Sequence, residues 1–346
     1  MPAKPLRANH FRPLVPSASA NSRHIELLMQ SRFIFQKIGI ACWLLALSVG
    51  CSRTNTDIGV TPDEACRVQT KTFTDATRRS QTTYTYDATG GLTSSLESLT
   101  TTNGIETYRN EYQYNANGFL TQYVLTRKSG SSESKTTNTY QYENNRLIKH
   151  VSVSSPSEIT TKTYTYDAAG ALAKHGIETS SSVRNYLFTN GILTSAETRS
   201  SGKTYPATVV NGRITNEFIY DDGFGFVIFL RAEYNAAGQL TQDYLTDAQG
   251  KENTVLSKNT REYTTQTLKN SASLVLKGHP VLSINGTEGF ISRLVAVYPK
   301  GYESQNQTID YQYKTNAKGY ITEQTATITG YQPGQRKTVY TFTNCQ

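Results

Sequence analysis

The sequence predicts an all-β fold, an antiparallel meander of repeated β-hairpins curled into a shell, a barrel or a sandwich. Three observations carry this. A Tyr-x-Tyr pair followed by Asp or Asn, a short Ala/Asn/Gly run and then Leu or Ile recurs along the chain, first as Tyr84 to Thr93 (YTYDATGGLT). Its second aromatic position falls at Tyr86, Tyr114, Tyr142, Tyr166, Phe188, Val210, Tyr234, Tyr313 and Phe342, in steps of 28, 28, 24, 22, 22, 24, 79 and 29 residues. Only 36% of the residues are hydrophobic while Tyr occurs 23 times, which suits sheets with one wet face better than a thick two-sided core.

Each part of the unit has a physical reading. Side chains alternate along a strand, so Tyr84 and Tyr86 share a face, as do Tyr112 and Tyr114, Tyr164 and Tyr166, and Tyr311 and Tyr313. Asp87 or Asp167 opens a turn, and Gly91, Gly118, Gly170, Gly238 or Gly319 accepts a backbone that other residues resist. Leu or Ile then restarts an alternating strand, as in Leu120, Gln122, Val124. A period of this size, without 3.6-residue spacing, belongs to a hairpin array and not to a helical solenoid. The step of 79 between Tyr234 and Tyr313 reads as three units of about 26.

Taken from the N-terminus, residues 1–28 are polar and without periodicity, and are expected to be a non-structural extension. Residues 29–50 begin at the second methionine, Met29. They contain the 13-residue apolar run Ile38 to Gly50, flanked by Arg32 and Lys37. The run is too short to span a bilayer and of the size of a secretory signal core. Residues 51–66 are expected to be a polar tether, and 67–346 a single β domain with its first strand at Arg67 to Thr74.

Formal charge is +8, but the first 50 residues hold six basic side chains and one acid, leaving 29 basic against 26 acidic ones. A nucleic-acid partner loses its main support with that leader. Of the four cysteines, Cys42 falls in the leader and Cys51 directly follows it. Cys66 and Cys345 flank the β domain and read as a disulfide in an oxidising compartment. A flat meander would hold its two ends far beyond disulfide reach, so the pair requires a curled sheet.

Ser/Thr-rich stretches at 129–139 and 152–161 read as long hairpin ends, or else as low-complexity linkers. Asp221, Asp222 and Phe224 form a carboxylate pair beside an aromatic, a candidate glycan or cation surface; the same residues also read as an Asp-Gly turn entering a buried strand. Between 264 and 302 the motif fades and apolar residues gather, which fits a plug or degenerate repeats. His150, His175 and His279 lie in different units without metal-ligand spacing. No nucleophile elbow, phosphate loop or dinucleotide fingerprint occurs, so catalytic and metal sites are expected to be none, with no cofactor.

The pattern Tyr86, Asp87, Gly91, Leu92, with Tyr166, Asp167, Gly170, Leu172 and Tyr234, Asn235, Gly238, Leu240, is similar to the YD repeats of the Rhs family. In that family such hairpins coil into a hollow β-shell. The segment Leu47-Ser48-Val49-Gly50-Cys51 resembles the lipobox of bacterial lipoproteins, which implies lipidation of Cys51. Together these resemble small Bacteroidetes lipoproteins carrying YD-like repeats. The resemblance implies an outer-membrane protein held by its N-terminal lipid, with the periplasmic face favoured by the lack of an acidic run after Cys51. The expected role is a binding or scaffold module, not an enzyme, whose partner is a glycan or an envelope protein. The alternatives are a glycan-active hydrolase, or a β-shell enclosing its own segment or a small ligand.

Overall fold

The computed structural model describes residues 67–102, 104–221, 227–247, 257–269, 277, 279–280, 289–299, 301–343 and 345. The expected extension, signal and tether, with Cys51 and Cys66, lie outside these residues. The described chain is a run of 21 strands. The first seven are β1 (Arg67–Thr74), β2 (Arg79–Tyr86), β3 (Leu92–Thr101), β4 (Gly104–Tyr114), β5 (Leu120–Ser129), β6 (Ser132–Glu143) and β7 (Arg146–Ser155). Next come β8 (Glu158–Tyr166), β9 (Leu172–Glu178), β10 (Ser182–Thr189), β11 (Ile192–Ser200), β12 (Lys203–Pro206), β13 (Thr208–Val210) and β14 (Arg213–Asp221). The last are β15 (Val227–Tyr234), β16 (Leu240–Asp247), β17 (Ser257–Tyr263), β18 (Ile291–Val297), β19 (Gln307–Thr315), β20 (Ile321–Gly330) and β21 (Gly334–Thr343).

Consecutive strands pair antiparallel all along the chain except β12 with β13, and β1 also pairs with β21, Arg67 facing Thr343. The meander thereby becomes a nearly closed barrel. Its seam is at Ala207, where β12 pairs with β11 and β13 pairs with β14. The Ser/Thr-rich stretches are strand, as read: Ser129 pairs with Ser132 across a tight turn, and Val153 pairs with Ile159.

One rim carries the repeat turns. Asp87 Oδ1 accepts the N–H groups of Thr89 (2.9 Å) and Gly91 (2.8 Å), and Asn115 Oδ1 accepts those of Asn117 and Phe119, both at 3.0 Å. The left-handed residue of the first unit is Gly90 (φ 87°), not Gly91; its counterparts Gly118, Gly170, Gly238 and Gly319 are left-handed as expected. The glycine that matters stands three residues after the Asp or Asn, and the doubled Gly90-Gly91 hides this.

In most hairpins the register slips by one residue just before the second aromatic, as at Thr85/Tyr86, Gln113/Tyr114 and Glu233/Tyr234; in β19/β20 it slips after Lys314. In the three named hairpins the skipped residue is a threonine whose hydroxyl bonds back across the bulge: Thr93 to the Thr85 carbonyl at 3.0 Å, Thr121 to Gln113 at 3.1 Å, Thr241 to Glu233 at 3.2 Å. Such bulges sharpen the local twist, which helps a long sheet to curl. The Leu or Ile that follows is buried in nearly every unit, with Leu120 2% and Leu147 1% exposed. Burying one such side chain stabilises the fold by about 1.5–3 kcal/mol.

Neighbouring units are tied by the second tyrosine. Its hydroxyl donates to the main-chain carbonyl that opens the previous unit's second strand: Tyr86 to Val68 (2.8 Å), Tyr142 to Leu120 (2.9 Å), Tyr166 to Leu147 (2.8 Å) and Tyr234 to Ile214 (2.9 Å). Tyr263 does the same to Leu240 at 2.7 Å, and Tyr313 to Ile291 at 2.8 Å. The interval of 79 residues therefore holds two units, not three. The sequence between Tyr263, which ends β17, and Ile291, which opens β18, is longer than in the other units and stretches the interval.

Candidate functional site

The wall has two chemically distinct faces. Outward positions are exposed and polar on strand after strand: Gln81, Thr83 and Thr85 on β2, Thr139 and Gln141 on β6, Thr163 and Thr165 on β8, Asp310, Gln312 and Lys314 on β19. The opposite face carries the first tyrosine of each unit and the buried Leu or Ile. Its apolar residues form separate small clusters, such as Leu147, Tyr164 and Leu172, or Ile309, Ala326 and Ile328. A sheet ring of this many strands encloses more space than side chains fill, so part of this inner face borders a lumen.

On the inner face of β6 to β11 the histidines that the sequence scatters come together. Tyr140 faces His150 across the β6/β7 pair, and His150 faces Lys162 across β7/β8. The Tyr140 and His150 rings stack at 4.5 Å; one row along, His175 stacks between Tyr164 (4.6 Å) and Tyr186 (5.6 Å). His279 arrives from the distant 264–290 stretch and lies 5.3 Å from the Tyr140 ring, with Nε2 2.8 Å from the Tyr142 hydroxyl. Because the Tyr142 proton goes to Leu120, His279 Nε2 is the donor in that contact. Lys277 Nζ donates to the Asn117 carbonyl at 3.1 Å and stands 4.9 Å from the Phe119 ring.

Hydrogen bonds fix the tautomers of two imidazoles, and burial keeps the rings neutral. His150 Nε2 donates to Asn138 Oδ1 at 3.0 Å, and His175 Nδ1 to the Thr163 carbonyl at 3.1 Å. Burial, reinforced by the charge of Lys162, pushes His150 and His279 down to about 4; burial does the same to His175, against the opposing Thr163 bond. Burial also lowers Lys162. Further round, burial raises Glu217 although Arg184 lies 3.5 Å away, and the Tyr186 hydroxyl donates to it at 3.3 Å. Arg261 pairs closely with the buried Asp243, which also accepts Asn259 Nδ2 at 3.1 Å.

The other sequence candidates fare differently. Tyr84, Tyr112, Tyr164 and Tyr311 line the inner face as half-buried or buried ribs. Asp221 ends β14 opposite Val227, which opens β15; Asp222 and Phe224 lie outside the described residues. Sequence reasoning missed Lys162 altogether. Its signal is an inward strand position, two residues before Tyr164, where the alternation calls for a rib.

No protein-family profile matches the chain, and no curated protein matches it. Among solved structures, a porin-like protein from Bacteroides uniformis ATCC 8492 overlaps 82% of this chain and 100% of its own, at 14% identity and a TM-score of 0.39. A porin-like protein from Bacteroides vulgatus ATCC 8482 overlaps 81% and 99%, at 7% identity and a TM-score of 0.35. TcdB2-TccC3-TEV overlaps 74% of this chain but 14% of its own length, at 12% identity and a TM-score of 0.19. Likeness this shallow identifies no family.

Proposed function

We propose that this chain is a lipid-anchored cell-envelope protein whose barrel is a binding or scaffold module built of YD-like hairpin repeats. The observation that carries this is the mainly polar outward face, where exposed apolar side chains such as Leu96, Ile159 and Leu187 stand among Thr, Ser, Gln and charged residues. A barrel embedded in lipid needs an outward apolar band about 25 Å tall, whereas β2, β6, β8 and β19 present Thr, Gln, Asp and Lys there. A wall of that chemistry faces water, and attachment falls to the acylated Cys51 at the end of the apolar leader. A Cys66–Cys345 bridge belongs to the same reading. One fact supports it: Arg67 pairs with Thr343, one residue and two residues from the two sulfurs in sequence.

Intact mass and a non-reducing peptide map of the envelope-purified protein test the anchor. The expected result is an acylated Cys51 as first residue and a peptide joining Cys66 to Cys345. An unprocessed, unacylated chain with two free thiols would overturn it. Binding is tested with a polysaccharide panel, where saturable retention without turnover is expected. Turnover would move the assignment to a hydrolase.

A second reading, a β-shell that holds a piece of its own chain, has an observation of its own. Lys277 and His279 belong to the stretch between β17 and β18, yet they contact Asn117, Phe119, Tyr140 and Tyr142 far round the ring. Protection of this stretch from limited proteolysis is the expected result.

A further inference from the structure

We propose that Lys162, with the hydroxyls of Tyr140 and Tyr164, forms an oxyanion-binding site on the inner wall of the barrel. The inference deepens the binding-module reading and rests on it. Lys162 is only partly exposed, and among the described residues its ammonium has no hydrogen-bond or ion-pair partner. The side chains that share its row are Tyr140, His150, Ile177 and Arg184. Among the described residues the carboxylate that reaches this row, Glu217, is already engaged by Arg184 and Tyr186. A cation withdrawn from water without a counter-charge is costly, and a bound anion supplies what the wall lacks.

The donors are suitably placed. Tyr164 stands two residues along β8 from Lys162, roughly 7 Å between Cα atoms, and Tyr140 two strands away, roughly 10 Å; side chains of this length converge over such spans. Neither phenol has a hydrogen-bond partner among the described residues, although both rings are fixed by stacking on His175 and His150. Burial raises both phenols, Tyr164 to about 12, so each keeps its proton to give. One ammonium and two hydroxyls suit a compact oxyanion, either a phosphate group or a sugar carboxylate.

Binding has a signature that a purely structural lysine lacks. Burial depresses His150 and His175, and the charge of Lys162 adds to it at both, with His279 contributing at His150. An anion against Lys162 cancels that field, so both imidazoles titrate at higher pH when it is bound.

The experiment follows histidine NMR resonances of the barrel during titration with inorganic phosphate and, separately, with glucuronate. Saturable shifts and raised histidine pKa values are expected with at least one, and which one answers separates the two sources. Lys162→Gln is expected to abolish them. Tyr140→Phe and Tyr164→Phe, which remove hydroxyls with no partner to lose, are each expected to weaken binding on the order of tenfold. Lys337→Ala on the outer face is the unaffected control. Absence of saturation by either anion up to about 10 mM, or equal binding by the Tyr→Phe variants and wild type, overturns the site. The anchor reading has its own test in the Cys51 mass, so either can fail alone.

Discussion

The Tyr313 hydroxyl donates to the main-chain carbonyl of Ile291, 22 residues earlier, at 2.8 Å, whereas Tyr311, two residues before it on the same face, has no hydroxyl partner among the described residues. The pair separates the two duties of the repeat. The first tyrosine is a rib of the wall, and the second ties one hairpin to the last.

Replacing the tie is therefore expected to cost more than replacing the rib. Tyr313→Phe leaves the Ile291 carbonyl without its donor and should destabilise the barrel by about 1–2 kcal/mol. Tyr311→Phe should stay within about 0.5 kcal/mol. Urea midpoints at constant slope decide between them, and equal costs would refute the division of labour.

Two left-handed glycines differ in what surrounds them. Gly118 (φ 77°) has open space where a Cβ would go, while at Gly330 (φ 91°) the Cβ would meet the Asn306 carbonyl oxygen at 2.2 Å. Gly118→Ala should cost about 1–2 kcal/mol from backbone conformation alone. Gly330→Ala must also break the Tyr331 to Asn306 hydrogen bond or move the chain, and should cost clearly more by the same denaturation assay.

Acid should weaken the fold in a defined window. His150, His175 and His279 titrate near 6.5 when unfolded and are held down to about 4 in the barrel. Between those values the unfolded chain binds more protons, so stability rises with pH there. It is fully present above 6.5 and falls away as pH drops towards 4. Asp75 and Asp87, whose carboxyls are lowered, act further down the scale. Urea midpoints from pH 4 to 7 should climb with pH, and His175→Gln should flatten the climb; a flat wild-type profile would contradict buried neutral imidazoles.

The Asp243 and Arg261 pair, with side chains 7% and 15% exposed, contrasts with Lys337 and Glu323 on the outer wall, 48% and 19% exposed. Asp243→Ala strands a buried guanidinium and should cost about 3–5 kcal/mol. Lys337→Ala should leave the thermal midpoint unmoved, since screened surface pairs contribute little.

Local chemistry was legible in the residues. Tyr-x-Tyr, the Asx turn and the buried Leu each act within about ten positions, and alternation alone assigns their faces. The meander and the first strand at Arg67 followed from them. Longer-range features were not legible. Tyr263 is a full member of the repeat, but the sequence between it and Ile291 is longer than in the other units, so counting from Tyr234 to Tyr313 gave the wrong number of units. Gly90 was masked by Gly91. His150, His175 and His279 looked unrelated because nothing in their spacing records that β6 to β9 stand side by side, or that the stretch before β18 returns to β6.

The pairing of β1 with β21 settles where the chain comes and goes. Arg67 and Thr343 stand opposite one another, on the same rim as the Asx turns and the stretch bearing Lys277 and His279. Both termini of the barrel thus leave from one mouth. A molecule moored by either end would keep the far mouth clear of the mooring, with the tight turn at Gly130 and its companions pointing outward to whatever approaches.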